Sequence, residues 1–220
     1  MQRALYYTLI PCLILTGFCF ISTVDYADAT PVKSTPKSKM SATDFLKTQV
    51  AAVLKLTAEP VSDAKVKQEI DHKLLAIIKP MMDFPAMSQA SLGKHWAKQS
   101  AEQQQTFISL FQELVFHSYM KKIRTAKNDA EITYEDESVR EQGGAEVEAV
   151  AATKKMEVEL RFILRQGRSQ KGEALFVAED VVIDEVSLVN NYREEFNKII
   201  AKEGFDGLIK KMKRQVEKVK

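Results

Sequence analysis

The side chains best suited to catalysis are few in this chain and scattered along it. There are three histidines, His72, His95 and His117, and no two stand at the His-x-x-x-His spacing that sets a pair of metal ligands on one helical face. No Gly-x-Ser-x-Gly elbow, glycine-rich phosphate loop or dinucleotide fingerprint occurs. Glu146, Glu148, Glu157 and Glu159 are close in sequence, but they alternate with apolar residues and so follow the pleat of two strands. That pattern describes the solvated face of a sheet more simply than a general acid-base pair. Both cysteines, Cys12 and Cys19, fall in the first 29 residues. With no metal site, cofactor motif or catalytic set in view, the reading is a binding protein.

The cysteines lie in a segment with an export layout. Arg3 is followed by an uncharged run from Ala4 to Ser22, broken by Pro11 and Gly17, and Ala27-Asp28-Ala29 offers the small-x-small pattern of signal-peptidase cleavage. Residues 1–29 are therefore expected to be a signal peptide, with a retained anchor as the alternative. Cleavage after Ala29 leaves a chain without thiols, so disulfides, thiolate-bound zinc and cysteine nucleophiles are excluded from it. It also removes one cation and two anions, moving the formal charge from +2 to +3, a balance that gives no electrostatic footprint for nucleic acid. Residues 30–40, rich in Pro, Ser, Thr and Lys, form a disordered leader, and residues 41–220 a single domain.

Two amphipathic helices come first, one capped by Ser41 and ending near Pro60, the next capped by Ser62 and stopped by Pro80. Asp83-Phe84-Pro85 opens a short helix through Ala90 that Gly93 terminates. A capping box, Ser100 to Gln103, begins the longest helix, which runs to about Thr125. This helix carries two apolar stripes, Phe107, Leu110, Phe111, Leu114, Val115 and Tyr119 on one and Ile108, Phe116, Met120 and Ile123 on the other. Two stripes require two partners, so this helix is expected to lie between other helices and a sheet, or to line something apolar. From Glu131 the period changes to two. Ile132 and Tyr134 mark a first strand, and Val147, Ala149 and Ala151 a second, entered through Gly143-Gly144. Met156 to Leu164 give a third, and Glu173 to Asp184 a fourth beyond a loop with Gly167 and Gly172. A helix from about Asn190 to Glu203, a break at Gly204 and a last helix complete an α+β fold, with a twisted antiparallel sheet of about four strands packed against several helices. The last helix bears Lys210, Lys211, Lys213, Arg214, Lys218 and Lys220, either a solvated face or a contact for anionic headgroups or an acidic partner.

Two stretches carry a more specific pattern. One runs from Phe84-Pro-Ala-Met-Ser-Gln-Ala-Ser-Leu-Gly-Lys-His-Trp96 through Gln103-Gln-Gln-Thr-Phe107 to Tyr119. The other runs from Asp180-Val-Val-Ile-Asp-Glu-Val-Ser187 through Leu-Val-Asn-Asn-Tyr192-Arg193-Glu-Glu-Phe196 to Gly204-Phe-Asp-Gly-Leu208-Ile209. Together they resemble the MlaC family, also called the toluene-tolerance family, of periplasmic phospholipid-binding proteins. The resemblance implies a monomeric carrier that holds acyl chains in an apolar pocket. It also implies partners: an outer-membrane lipoprotein-porin complex, and an inner-membrane ABC transporter with an MCE-domain subunit, in the upkeep of outer-membrane lipid asymmetry. At roughly 0.8 kcal/mol per methylene, two chains of about fifteen carbons cost on the order of 20 kcal/mol to hold in water, so a shuttle must bury them.

The resemblance implies a pocket lining from the helices, with Phe84, Met87, Trp96, Phe107, Leu110, Phe111 and Leu114, joined by Tyr192 and Phe196. The sheet is expected to add Val147, Ala149, Ala151, Val158, Leu160 and Phe162. Asp180, Ser187 and Arg193 are structural or headgroup-contacting: Arg193 is expected to clamp Asp180, or else to meet a phosphate at the pocket mouth. The chain departs from the family where Glu179 replaces a Tyr and Glu185 a Gly. Losing that glycine removes easy access to positive φ, which puts the local turn and the ligand's identity in question. A hopanoid cargo is one alternative, and an envelope enzyme on a similar scaffold another.

Overall fold

The computed structural model describes residues 40–125, 130–154, 156–168 and 174–219. The expected signal peptide, nearly all of the leader and the loop with Gly172 lie outside them. Helices α1 (Ala42–Ala58), α2 (Ala64–Met81) and α3 (Phe84–Leu92) lead through a 3-10 turn (Gly93–Lys98) into α4 (Ala101–Thr125). Strands β1 (Glu131–Val139), β2 (Ala145–Ala152), β3 (Glu157–Arg168), β4 (Ala174–Ile183) and β5 (Val186–Ser187) then form one antiparallel sheet in sequence order, and α5 (Leu188–Val219) follows. The architecture is α+β, and the two-residue β5 is a strand beyond the four expected.

The helix ends follow local chemistry. Ser41 accepts the Asp44 amide at 3.0 Å. The Ser100 and Gln103 side chains exchange bonds with each other's backbone amides at 3.2 and 2.9 Å, completing the capping box. At α2 the cap is Asp63 rather than the expected Ser62: Oδ1 of Asp63 accepts from Lys65 and Val66 at 2.8 and 2.9 Å, and the Ser62 hydroxyl donates to Oδ2. A carboxylate answers the partial positive charge of a helix start better than a hydroxyl does. The Val66 amide, with help from the Ser62 hydroxyl, holds the Asp63 carboxyl below its ordinary pKa. Helix α2 also runs one residue past the expected stop at Pro80. Gly204 has φ 71° and ψ −178°, the break expected between two helices.

Two bulges re-aim the sheet's side chains. In β1 the register shifts between Tyr134 and Asp136, which brings Glu137 opposite Val147 and onto the apolar face. There its carboxylate accepts the Ala42 and Thr43 amides at 3.2 and 2.9 Å and seats the start of α1. Burial raises the Glu137 pKa, but the bonds from Thr43 and Ala42 outweigh it and leave it lowered. In β4 the extra residue is Glu179, between Ala178 opposite Leu164 and Asp180 opposite Ile163. Glu179 lies 2.9 Å from Arg140 and 3.6 Å from Arg165, and Arg165 also binds Asp83, the cap of α3. The Asp83 amide donates to Ala178 at 2.8 Å, so the α2–α3 connection is fastened to the bulge.

Three apolar cores result. Helix α1 (Ala42, Phe45, Leu46) covers Ala145, Val147, Leu164, Phe176 and Ala178 of the sheet. Helices α3, α4 and α5 enclose a core of their own that includes Phe84, Met87, Phe107, Phe111, Tyr192, Phe196 and Leu208. Phe116 and Met120, on the other stripe of α4, pack with Val53 of α1 and Ile70 and Leu74 of α2. The two stripes thus have two partners, but both are helical, where a sheet was expected on one side.

Residues Asp184 and Glu185 form the two-residue turn between β4 and β5, with φ 47° and 64°. Asp184 exchanges bonds with the Glu159 backbone at 3.0 Å in each direction, which holds the turn in place. Glu185 sits where the family resemblance expects Gly, and it adopts the glycine's conformation regardless. Left-handed backbone costs a side-chain-bearing residue roughly 1 kcal/mol. Glu185→Gly is therefore expected to raise stability by about 1 kcal/mol and the melting midpoint by about 3 °C, checked by a thermal melt at equal pH and salt.

Candidate functional site

The register of β1 to β4 places Ile132, Tyr134, Val147, Ala149, Ala151, Val158, Leu160, Phe162, Leu164, Val181 and Ile183 on one face of the sheet. This face has two halves. At the end where β1 turns into β2, Ala145, Val147, Leu164, Phe176 and Ala178 are buried under α1. Toward the other end Ile132, Ala151, Val158, Leu160, Val181 and Ile183 are each half-buried, although all are apolar.

The course of α1 explains the difference. Its first turn is bound to Glu137, and one turn on the Lys47 ammonium lies 5.6 Å over the Tyr134 ring, so α1 advances along β1 toward the strand's beginning. The helix face that carries Thr43 and Lys47 continues with Val50 and Leu54, both half-buried. Helix α4 makes its main backbone contacts with α1, α3 and α5 rather than with the sheet. Apolar side chains of the sheet's open half and of the far part of α1 therefore meet less packing than those at the closed half.

The residues expected to line a pocket separate accordingly. Met87, Phe107 and Phe111 have no exposed area at all, and Phe84, Leu114, Tyr192 and Phe196 are buried with them. Their rings touch: Phe107 to Phe196 with centroids 5.4 Å apart, and Phe111 to Tyr192 at 5.0 Å. Side chains in contact this way form packed core in the structure. Trp96 and Leu110 pack at the edge of that core. Val147 and Phe162 belong to the core under α1. Ala149 is buried on the sheet face, while Ala151, Val158 and Leu160 lie on its open half. Ile132, Val181, Ile183, Val50 and Leu54 join them there, and the same period-two and helical spacings mark them in the sequence.

Arg193 and Asp180 do not form the expected clamp. Arg193 Nε donates to the Ala90 carbonyl near the end of α3 at 2.8 Å. Asp180 accepts the Val189 amide at 3.1 Å and the Ser187 hydroxyl, and Ser187 Oγ in turn accepts the Asn190 amide at 3.0 Å. Asp180 and Ser187 together cap α5, because the β4 bulge turns Asp180 off the apolar face and toward the helix start. All three residues make hydrogen bonds within the chain that fasten α5.

The opposite face of the sheet is charged. Glu148, Glu157 and Glu159 are exposed and Glu146 pairs with Arg161 at 3.0 Å, around a shallow concavity lined also by Glu135 and Glu185. His72, His95 and His117 stand on α2, the 3-10 turn and α4. Glu69 and His72 have Glu-x-x-His spacing, but among the described residues no set of three His, Cys, Asp or Glu is grouped to hold a metal. No helix among the described residues is long and apolar enough to cross a membrane.

Comparison with known proteins agrees with this fold. The MlaC protein family matches residues 47–214. A solved phospholipid-binding protein from Ralstonia solanacearum, determined in complex with a phospholipid, shares the fold with a TM-score of 0.68 at 21% identity, over 81% of this chain and 98% of that one. A search of curated proteins returns no match.

Two tyrosines stand where α4 meets α5. Burial raises the Tyr192 pKa to about 12, with a smaller push from Tyr119, and burial followed by the Asp180 charge raises Tyr119. A raised folded-state pKa stabilises the fold fully below the ordinary value near 10 and loses that contribution as pH climbs through the folded value near 12. The loss of stability between about pH 9 and about pH 11, measured by urea unfolding, is therefore expected to be smaller in Tyr192→Phe than in the parent.

Proposed function

The chain belongs to the MlaC family, and on that premise we propose that it is a periplasmic phospholipid carrier that binds lipid without chemically altering it. The observation that carries this reading is the apolar half of the sheet face, Ala151, Val158, Leu160, Val181 and Ile183, left half-buried, as are Val50 and Leu54 on the far part of α1. Apolar surface that folding leaves unburied remains available to a ligand, at roughly 25 cal/mol per Å² removed from water. Acyl chains suit such a lining, since it asks for no hydrogen bonds. The solved protein of the same fold was determined with a phospholipid, which supports the same cargo here.

In this reading the packed aromatic core of α3, α4 and α5 is the frame that holds α4 at a distance from the sheet. Admitting two chains requires α1 or α4 to move outward, exchanging helix-to-sheet contact for contact with lipid. The protein partners are those the family implies, an outer-membrane lipoprotein-porin complex as one end of the route and an inner-membrane ABC complex with an MCE-domain subunit as the other. Export of the chain and removal of residues 1–29 free it to diffuse between them.

Protein purified from cells without detergent is expected to carry phospholipid, read as adduct masses in native mass spectrometry. Consistently empty protein that takes up no lipid from vesicles sinks the proposal, and a hopanoid in the extract changes the cargo. Leu160→Asp on the open half and Ala149→Trp beside it are each expected to lower bound lipid at least several-fold while circular dichroism stays unchanged. Full lipid occupancy in either folded variant places the site elsewhere.

A further inference from the structure

A near-neutral formal charge conceals a separation within this domain. The part of α5 after Gly204 turns Leu208, Met212 and Val216 into the helical core, where each is 3% exposed or less. At 100° per residue, Asp206, Lys210, Arg214, Glu217 and Lys218 fall on the arc facing away from that core, with Lys213 at its rim beside α4, and all are exposed. Four cations thus share one helix face with two anions, Asp206 and Glu217. Lys211, at the rim of the arc, is paired with Glu203 at 2.5 Å. On the sheet the exposed charges are mostly of the other sign: Glu131, Glu135, Asp136, Glu148, Glu157 and Glu159 outnumber the exposed Arg161, which is paired with Glu146.

We propose that the exposed face of α5 beyond Gly204 docks the protein on the surface of an anionic bilayer. A negatively charged plane attracts this face and repels the acidic sheet, so the charge separation sets orientation as well as affinity. Attraction between the cations and the helix dipole accounts for Lys218 in the last turn, but that effect fades within one turn and leaves Lys210, Lys213 and Arg214 unexplained. The composition of the face favours a membrane over a protein. Three of its four cations are lysines, which act as flexible point charges. The large exposed apolar residues among the described ones, Met40, Val61, Val139, Met156 and Val186, all lie off α5. A protein interface centres on buried aromatic, apolar or arginine anchors, whereas a lipid headgroup layer requires only a field of the right sign. The proposal is independent of what the open half of the sheet carries.

Co-sedimentation of the purified protein with vesicles tests it. Binding is expected to vesicles of phosphatidylglycerol mixed with phosphatidylcholine at low salt, to be absent with phosphatidylcholine alone, and to fall steeply as salt shortens the Debye length. The triple variant Lys210→Glu, Lys213→Glu, Arg214→Glu is expected to lower partitioning by about a hundredfold. Its fold is checked by circular dichroism and by unchanged lipid occupancy. A charge reversal on the sheet in the opposite sense, Glu148→Lys with Glu159→Lys, is expected to leave vesicle binding undiminished. The proposal is overturned by equal binding to neutral vesicles, by no binding to anionic ones, by a folded triple variant that binds like the parent, or by a parent protein whose α5 face engages an acidic protein but no vesicle.

Discussion

Helix α1 covers only part of the sheet's apolar face, and its anchorage decides which part. The Glu137 carboxylate fixes the first turn of α1 at the β1–β2 end, where Ala145, Val147 and Leu164 are sealed under Phe45 and Leu46. Past Lys47 the helix passes over a sheet surface whose side chains stay half-buried. A partly uncovered apolar face is costly unless something else covers it, which is why the proposed site falls there and not in the tighter aromatic cluster.

Both β-bulges serve this division. Were β1 to keep all its residues in unbroken alternation, Glu137 would point to the charged face and α1 would lose its seat; were β4 to do so, Asp180 would point to the apolar face and α5 would lose its cap. Glu179, which stands where the family resemblance expects Tyr, replaces aromatic packing with ion pairs to Arg140 and Arg165. These pairs are partly exposed and individually weak. Their effect is to tie the α2–α3 connection, through Arg165 and Asp83, to the point where the strand is irregular.

Much of the scaffold was legible in the sequence because it depends on local rules. The Ser100–Gln103 capping box, the Asp83 cap, the change to period two at Glu131 and the break at Gly204 each follow from short-range chemistry. The two stripes of α4 also predicted two partners. The site was less legible. Phe107 and Leu160 are both apolar residues on amphipathic elements, and patterning assigns them alike to an interior; only the third dimension tells packed core from open wall. The partners of Arg193 and Asp180 were hidden for another reason, since a bulge changes the parity of a strand and no residue type announces one. Asp63 displaced Ser62 as a cap through a one-residue choice between two good cap formers.

Strand β1 forms one edge of the sheet, so part of its backbone hydrogen-bonding capacity faces outward. A molecule that also keeps an apolar half-face uncovered is a candidate for edge-to-edge polymerisation, two copies joining their sheets and hiding their open faces together. The β1 edge opposes this. Glu131, Glu135 and Asp136 are exposed along it, and the bulge between Tyr134 and Asp136 spoils the straight repeat that a second strand would need. Two such edges meeting would bring like charges into register at the distance of a strand pair. The same carboxylates that give the sheet its sign thus also oppose pairing between copies at this edge.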